Sequence, residues 1–379
     1  MIPTQTDRVR AEGALDREVG ECGRPARGSW VDLRWRVGPV VTAWVIAVVW
    51  VAISIGLFPH YLSYASRSTL TPLIGVLIIA AIGQSFVIGT GGIDLSPGSV
   101  ITLSGLAVGF IGNGPGGSLW LGLVVAILIG VGAGALNGVL VEVLGLDSMV
   151  ATLATYEGML GLATVWTNSA EGTPSPQAWS NFLLHNWDGF SIVLGMAVLL
   201  MFVVAMVIAH TTPGRHLTAA SVSSVASYFQ GIHYRRYRFS AYVFGGVVYA
   251  FAGICLVGVV RTPTTDMGTV YQFGTIVAVI LGGASLTGGR LHPGATVAGA
   301  AFLIVVEQDI LAFGLSTGFQ NIIEGVIIVG AVVAMVGGSD SPIRRWRTKR
   351  SRRVGETDGD GRGLRAEHGQ LEGSEAQIQ

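Results

Sequence analysis

The sequence predicts an all-α integral membrane protein: a polytopic bundle of about ten transmembrane helices, broken at two glycine-rich segments. Three observations carry this. Charge is scarce, apolar runs of hydrocarbon length recur along the chain, and the basic residues fall almost entirely in alternate loops.

Only 12% of the 379 residues are charged and 50% are hydrophobic, with a mean hydropathy of +0.59. A soluble domain carries about a quarter charged residues, so this composition excludes an ordinary soluble protein. A spanning helix needs ~20 apolar residues, because the hydrocarbon core is ~30 Å thick and a helix rises ~1.5 Å per residue. The 55 glycines suit membrane helices, where small residues let backbones approach closely, and strand-like alternation is absent.

Apolar windows bounded by Gly, Pro and charge give ten spans. They are Val37–Phe58, Leu70–Gly89, Gly98–Ile111, Leu119–Val141, Met149–Thr167, Phe190–Ala209, Phe239–Val260, Val270–Leu286, Gly294–Ala312 and Phe319–Gly337. Residues 1–36 read as a cytoplasmic tail leading into an uncleaved first span. Residues 37–338 form the membrane domain, with a cytoplasmic segment at 211–238. Residues 339–379 read as a second cytoplasmic tail, disordered for lack of apolar periodicity.

Basic residues concentrate on the cytoplasmic side of membranes. With both termini inside, the inner segments hold 21 of the 23 basic residues, and only Arg67 and Arg261 face out. The internal cluster of Arg215, Arg235, Arg236 and Arg238 is the independent check, because it requires an even number of spans before it. On the outer side, the loop from Asn168 to Gly189 has Trp166, Trp179 and Trp187 in or near it, read either as an interfacial aromatic belt or as a docking surface.

The densest motif is Gly89-Thr90-Gly91-Gly92-Ile93-Asp94-Leu95-Ser96-Pro97-Gly98-Ser99. The glycines end one helix, while Ser96 and Pro97 read as the N-cap and first position of the next. Non-helical backbone at membrane depth is tolerated only where protein or a water-filled cavity covers it. Asp94 therefore either caps the new helix or helps shape a pathway. Gly282-Gly283-Ala284-Ser285 through Gly288-Gly289 to Pro293-Gly294 repeats the logic. Paired interruptions in two halves point to a transport pathway between them.

Gly91-Gly92-Ile93-Asp94-Leu95-Ser96 resembles the signature of ribose-type sugar permeases of ABC importers. The likeness extends in order through Asn137-Gly138, Thr152-Leu153, Thr211-x-x-Gly214-Arg215 and Gly282–Gly289, over most of residues 70–335. The resemblance implies a ten-span permease of the bacterial cytoplasmic membrane that imports a monosaccharide. It also implies a second permease copy, cytoplasmic ATPase subunits and an extracytoplasmic sugar-binding protein. Related branched-chain amino-acid permeases carry a similar glycine-rich break.

The only lysine, Lys349, precedes Arg350, so no Walker A loop is present and ATP hydrolysis falls to a partner. In the resemblance, 214–232 corresponds to a coupling helix seated on the ATPase. Gly214, Arg215, Ala219, Ala226, Gly231 and Ile232 fit it, whereas Ser223-Ser224 replaces the usual Gly-Asn and Ser227–Gln230 is atypical. An ordinary loop whose arginines hold anionic lipid is the other reading.

Ionisable groups within spans are functional candidates because their burial is costly. Glu157, mid-way along the fifth span, reads as protonated within the bundle or as lining the pathway, and it is the coupling carboxylate an ion-driven secondary transporter would need. Glu307, Gln308, Asp309 and Glu324 form an outer polar group that either reads sugar hydroxyls or bonds helices together. Gln84, Asn137 and Thr152 are milder candidates, structural first. Cys22 and Cys255 suggest neither a disulfide nor a metal site, and the seven histidines lack metal-ligand spacing. No catalytic cluster, cofactor or nucleic-acid partner is expected.

Overall fold

The computed structural model describes residues 38–168, 172–222, 227, 229–286, 288–289 and 291–336. The expectations for both terminal tails, Ser223-Ser224 and Ala226 lie outside these residues. The described chain is helical apart from loops and a two-residue antiparallel ladder pairing Asn186–Trp187 with Phe190–Ser191.

The helices are α1 (Pro39–Leu57), α2 (Tyr64–Gly89), α3 (Pro97–Asn113), α4 (Leu119–Glu142), α5 (Ser148–Thr167), α6 (Gln177–Leu183), α7 (Ile192–His210), α8 (Thr212–Val222), α9 (Tyr234–Val260), α10 (Thr269–Leu281), α11 (Pro293–Ala312) and α12 (Thr317–Val336). Each apolar window falls on one of them. Among the described residues six helices, α1, α2, α4, α7, α9 and α11, are long and apolar enough to cross a membrane, fewer than the ten expected; α3 and α10 are shorter apolar helices.

Local chemistry sets the boundaries. Ser63 accepts from the Ser66 amide and starts α2 six residues ahead of the apolar window. Asp147 accepts from the Met149 and Val150 amides to start α5, and Ser191 does the same for α7 through Val193. Pro39, Pro97 and Pro293 occupy first helical positions, where a missing amide proton costs nothing.

Helices α2 and α9 form the centre. α9 packs along α4, α2 and α3, while α7 covers α2, α1 covers α11, and α10 lies against α11 and α2. α4 and α9 approach closely, and a Cβ on Gly130, Gly134 or Gly246 would collide with the facing backbone. Small residues one turn apart thus do what membrane helices use them for, letting main chains touch and increasing dispersion contact.

The contacts sort the loops into two ends. At one end lie both glycine-rich breaks, the α4–α5 turn and α8. At the other, Arg67 pairs with Asp188 at 3.4 Å, Asn113 donates to the Pro174 carbonyl, and Phe58 packs on Phe313 at a centroid distance of 5.0 Å. Trp179 donates its indole proton to the Ile254 carbonyl at 3.0 Å and is partly buried against the core. Trp187 is 87% exposed, in keeping with both readings.

Candidate functional site

The first break, Thr90 to Ser96, connects α2 to α3 through a buried loop. Gly91 has φ +82°, a conformation that only glycine adopts freely, and it turns the chain back beneath α2. Gly92 follows with its backbone against the Tyr242 phenol, where a Cβ would overlap the hydroxyl.

Asp94 is 1% exposed, and its Oδ1 accepts from the Ser96 amide at 2.8 Å and the Ser96 hydroxyl at 2.7 Å. Ser96 stands at the N-cap position but makes no side-chain cap bond. The expectation that Ser96 caps α3 is therefore corrected: its hydroxyl is drawn to the stronger acceptor, the neighbouring carboxylate. Asp94 in turn folds an Asx turn before the helix rather than capping it.

Three polar residues read separately from the sequence converge here. Asn137 of α4 donates to the Ser96 hydroxyl at 2.9 Å and approaches Asp94 Oδ1 at 3.5 Å. Gln84 of α2 donates to the Asp94 carbonyl at 3.0 Å. Thr152 of α5 accepts from the Leu95 amide at 2.9 Å, and Ser148 accepts from the Ile93 amide at 3.2 Å. Extended backbone inside a bundle must find partners for its polar groups, and these side chains supply them.

Residues not singled out in the sequence complete the network. Tyr249 of α9 donates to Gln84 Oε1 at 2.6 Å, and Tyr242, seven residues earlier on the same helix, presses on Gly92. The i, i+7 spacing of two tyrosines in an apolar helix is the signal that was available for them. Glu142, at the end of α4, forms a 3.0 Å ion pair with Arg238 of α9 beside this loop.

The second break follows the same design and meets the first. Gly283 has φ +82° after α10, and the Gly289 amide donates to the Gly89 carbonyl at 3.0 Å. A Cβ on Gly288 would face the Gly89 carbonyl at 3.0 Å, the Ser221 carbonyl at 3.2 Å and the Gly91 amide at 3.3 Å. Both breaks and the end of α8 are therefore in mutual contact. Between the breaks, Ser85, Ser285 and His292 border a cavity of about 10 Å³, room for one water.

Gly214 packs against the end of α7, while Arg215, Ala219, Gly231 and Ile232 line one cavity of about 570 Å³ with His216, His233 and Arg236. The structure thus brings together four of the expected coupling residues.

The remaining candidates are dispersed. Asp309 is buried against α1, accepting from Trp50 Nε1 at 3.1 Å and Ser54 Oγ at 2.6 Å, which is interhelical bonding. Beside it, Tyr61 lies outside the spans, and burial, reinforced by Asp309, holds its phenol well above the ordinary range. Glu307 is half-buried, and its carbonyl accepts from Gln320 at 3.0 Å. Glu157 contradicts one expectation: it is exposed on the outer face of α5, not bonded within the bundle, because Thr152, Thr155 and Tyr156 take the inward face. Among the described residues no group of His, Cys, Asp and Glu could hold a metal ion.

A multi-pass helical bundle whose polar machinery is two docked, glycine-built breaks beside a basic amphipathic segment has the layout of a membrane permease. The chain belongs to the family described as "Branched-chain amino acid transport system / permease component", which matches residues 66–332. It is 30% identical over 309 residues to the ribose import permease protein of Bacillus subtilis (strain 168), covering 79% of this chain and 92% of that one. It is 31% identical over 302 residues to the autoinducer 2 import system permease protein of Enterobacter sp. (strain 638), covering 79% and 85%. The fructose import permease protein of Bifidobacterium longum (strain NCC 2705) is 28% identical over 304 residues, 75% and 84% of the two chains. The resemblance to sugar ABC importer permeases drawn from Gly91 to Ser96 therefore holds across most of the chain. No solved structure matches it significantly.

Proposed function

We propose that this chain is the pathway subunit of an ATP-driven importer for a monosaccharide of the ribose, xylose or galactose kind, working as two copies with separate ATPase subunits and an extracytoplasmic binding protein. Ten spans, the short α3 and α10 among them, place the break end and both tails in the cytoplasm. The observation that carries the reading is the three-way contact of the two breaks with α8: an element pushed by an ATPase touches both interruptions of the bundle at Gly288.

In this reading Gly214, Arg215, Ala219, Gly231 and Ile232 form the ATPase seat. Force on α8 reaches Gly91 and Gly92 through Gly288, and reaches α5 through the Ser148 and Thr152 bonds. Asp94, Ser96, Gln84 and Asn137 keep the loop satisfied while it moves, and Gly282, Gly283 and Ser285 hinge the second break. The ribose, fructose and autoinducer-2 importers among the relatives support a small polyhydroxylated cargo over an amino acid.

The test is uptake into vesicles holding the permease, its ATPase and its binding protein. ATP-dependent accumulation of a monosaccharide is expected, and uptake that survives ATP removal but collapses with the proton gradient would point instead to a secondary transporter. Gly231 lines the seat at φ +73° with open space around it. Gly231→Trp should abolish ATPase pull-down and uptake while leaving membrane insertion intact; unchanged pull-down would remove the seat from this position.

A further inference from the structure

The stretch from Thr211 to Ser240 holds four arginines, two histidines and no aspartate or glutamate. Its two helices bring basic residues to one cavity. On α8, Arg215 and Ala219 stand one turn apart with His216 beside them, and on α9, Arg236 and Tyr237 share the facing wall. The cavity between them is about 570 Å³ and lies at the start of α9. That volume falls among the roughly 300–1,000 Å³ of small-molecule sites and far exceeds what one water needs.

The walls are made for an anion. Arg215 and Arg236 are exposed, and neither forms an ion pair among the described residues; of the four arginines here only Arg238 does, with Glu142. Two guanidinium groups on opposite walls repel each other, and a shared anion between them reverses that sign. His216 Nδ1 and the Tyr237 hydroxyl share a hydrogen bond of 2.8 Å from wall to wall, which holds two further polar groups in place. α9 opens at Tyr234 without a side-chain cap, so the amides of its first turn and the positive end of its dipole lie at this end of the helix. A carboxylate has two oxygens and saturates one guanidinium fork, whereas a phosphate has enough oxygens to meet two forks at once.

We propose that this cavity binds a phosphate group, carried by a soluble phosphorylated molecule or by an anionic lipid headgroup, with Arg215 of α8 and Arg236 of α9 as its two clamps. The bound phosphate ties α8 to α9 and stabilises the fold by mass action. None of these contacts involves an ATPase, so the site is independent of the proposed seat, with which it shares Arg215 and Ala219.

The test uses the purified full chain in a maltoside detergent, which carries no phosphate. Inorganic phosphate and, separately, a short-chain phosphatidylglycerol are titrated at constant ionic strength, read by melting temperature and, for the lipid, by native mass spectrometry. Saturable binding of at least one probe is expected. Lipid that excess inorganic phosphate does not displace assigns the headgroup as the source; binding of, or displacement by, the inorganic ion assigns a soluble phosphate. Arg215→Gln and Arg236→Gln should each weaken binding at least about tenfold. Arg261→Gln removes the same charge at the far end of α9 and should leave binding unchanged. Ala219→Trp fills the cavity from α8 without altering its charge and should also block binding, which keeps the site testable where an arginine variant does not fold. No saturable binding of either probe, or binding that these cavity variants leave unmoved, or an equal loss in Arg261→Gln, overturns the proposal. ATPase pull-down on the same preparations separates the two readings: phosphate binding without pull-down refutes the seat alone, and pull-down without phosphate binding refutes this inference alone.

Discussion

At Gly92 the main chain runs so close to Tyr242 that a side chain would overlap the phenol oxygen. Gly92→Ala should therefore destabilise the fold by about 1–3 kcal/mol, the usual cost of overpacking, and lower the melting temperature in detergent. Tyr242→Phe removes the obstructing oxygen, so the double variant should regain most of the loss, and a double-mutant cycle with no coupling would refute the contact. The hydroxyl of Thr152, which is fully buried, accepts the Leu95 amide. Thr152→Val strands that amide at about 1–3 kcal/mol, while Thr152→Ser should be near wild type in the same melting assay. The backbone roles of Gly91 and Pro97 were legible in the sequence because they are local. The convergence of Gln84, Asn137 and Thr152 was not, since Tyr249 lies 165 residues from Gln84 and no local pattern encodes that meeting. Of the two readings of Glu157, the one that bonds it within the bundle failed for a related reason: a hydropathy window knows depth along a helix but not which face turns inward.

Helix positions were read more reliably than helix ends. Apolar windows detect hydrocarbon contact, so they missed the polar turns of α2 from Tyr64 and of α9 from Tyr234, which are helical but not lipid-like. In α9 the early turns hold Arg238, whose guanidinium lies over the Tyr234 ring at 5.9 Å and pairs with Glu142 of α4 at 3.0 Å. This pair ties α4 to α9, two helices that pack extensively along one another, at the break end, and the Glu142 side chain is only 5% exposed. Arg238→Gln leaves that carboxylate without its counter-charge, with an expected cost of about 3–5 kcal/mol. Adding Glu142→Gln removes the stranded charge, so chemical denaturation should show the double variant more stable than the single one. Equal stability of the two would mean that the pair is solvated and contributes little.

Over the whole molecule, the arginines that split the sequence into two sides also split the folded chain into two ends. Arg238, at the start of α9, pairs beside the glycine breaks, while Arg67 pairs at the opposite end with Asp188. In the proposed orientation the break end faces the cytoplasm, as the positive-inside rule expects, because translocating four clustered arginines is far less favourable than retaining them. This yields a prediction independent of any homology. With Cys22→Ser, Val222→Cys, 61% exposed at the end of α8, should react with a membrane-impermeant maleimide only after cells are permeabilised. Trp187→Cys, at the opposite end, should react in intact cells. The reverse pattern would invert the bundle, put α8 out of reach of any cytoplasmic ATPase, and remove the proposed route from ATP hydrolysis to Gly288 and the two breaks. Labelling of both sites in intact cells would break the two-sided assignment of the loops, and the ten-span count would fall with it, since the separation of these two cysteines depends on an odd number of crossings between residues 187 and 222, here supplied by α7 alone.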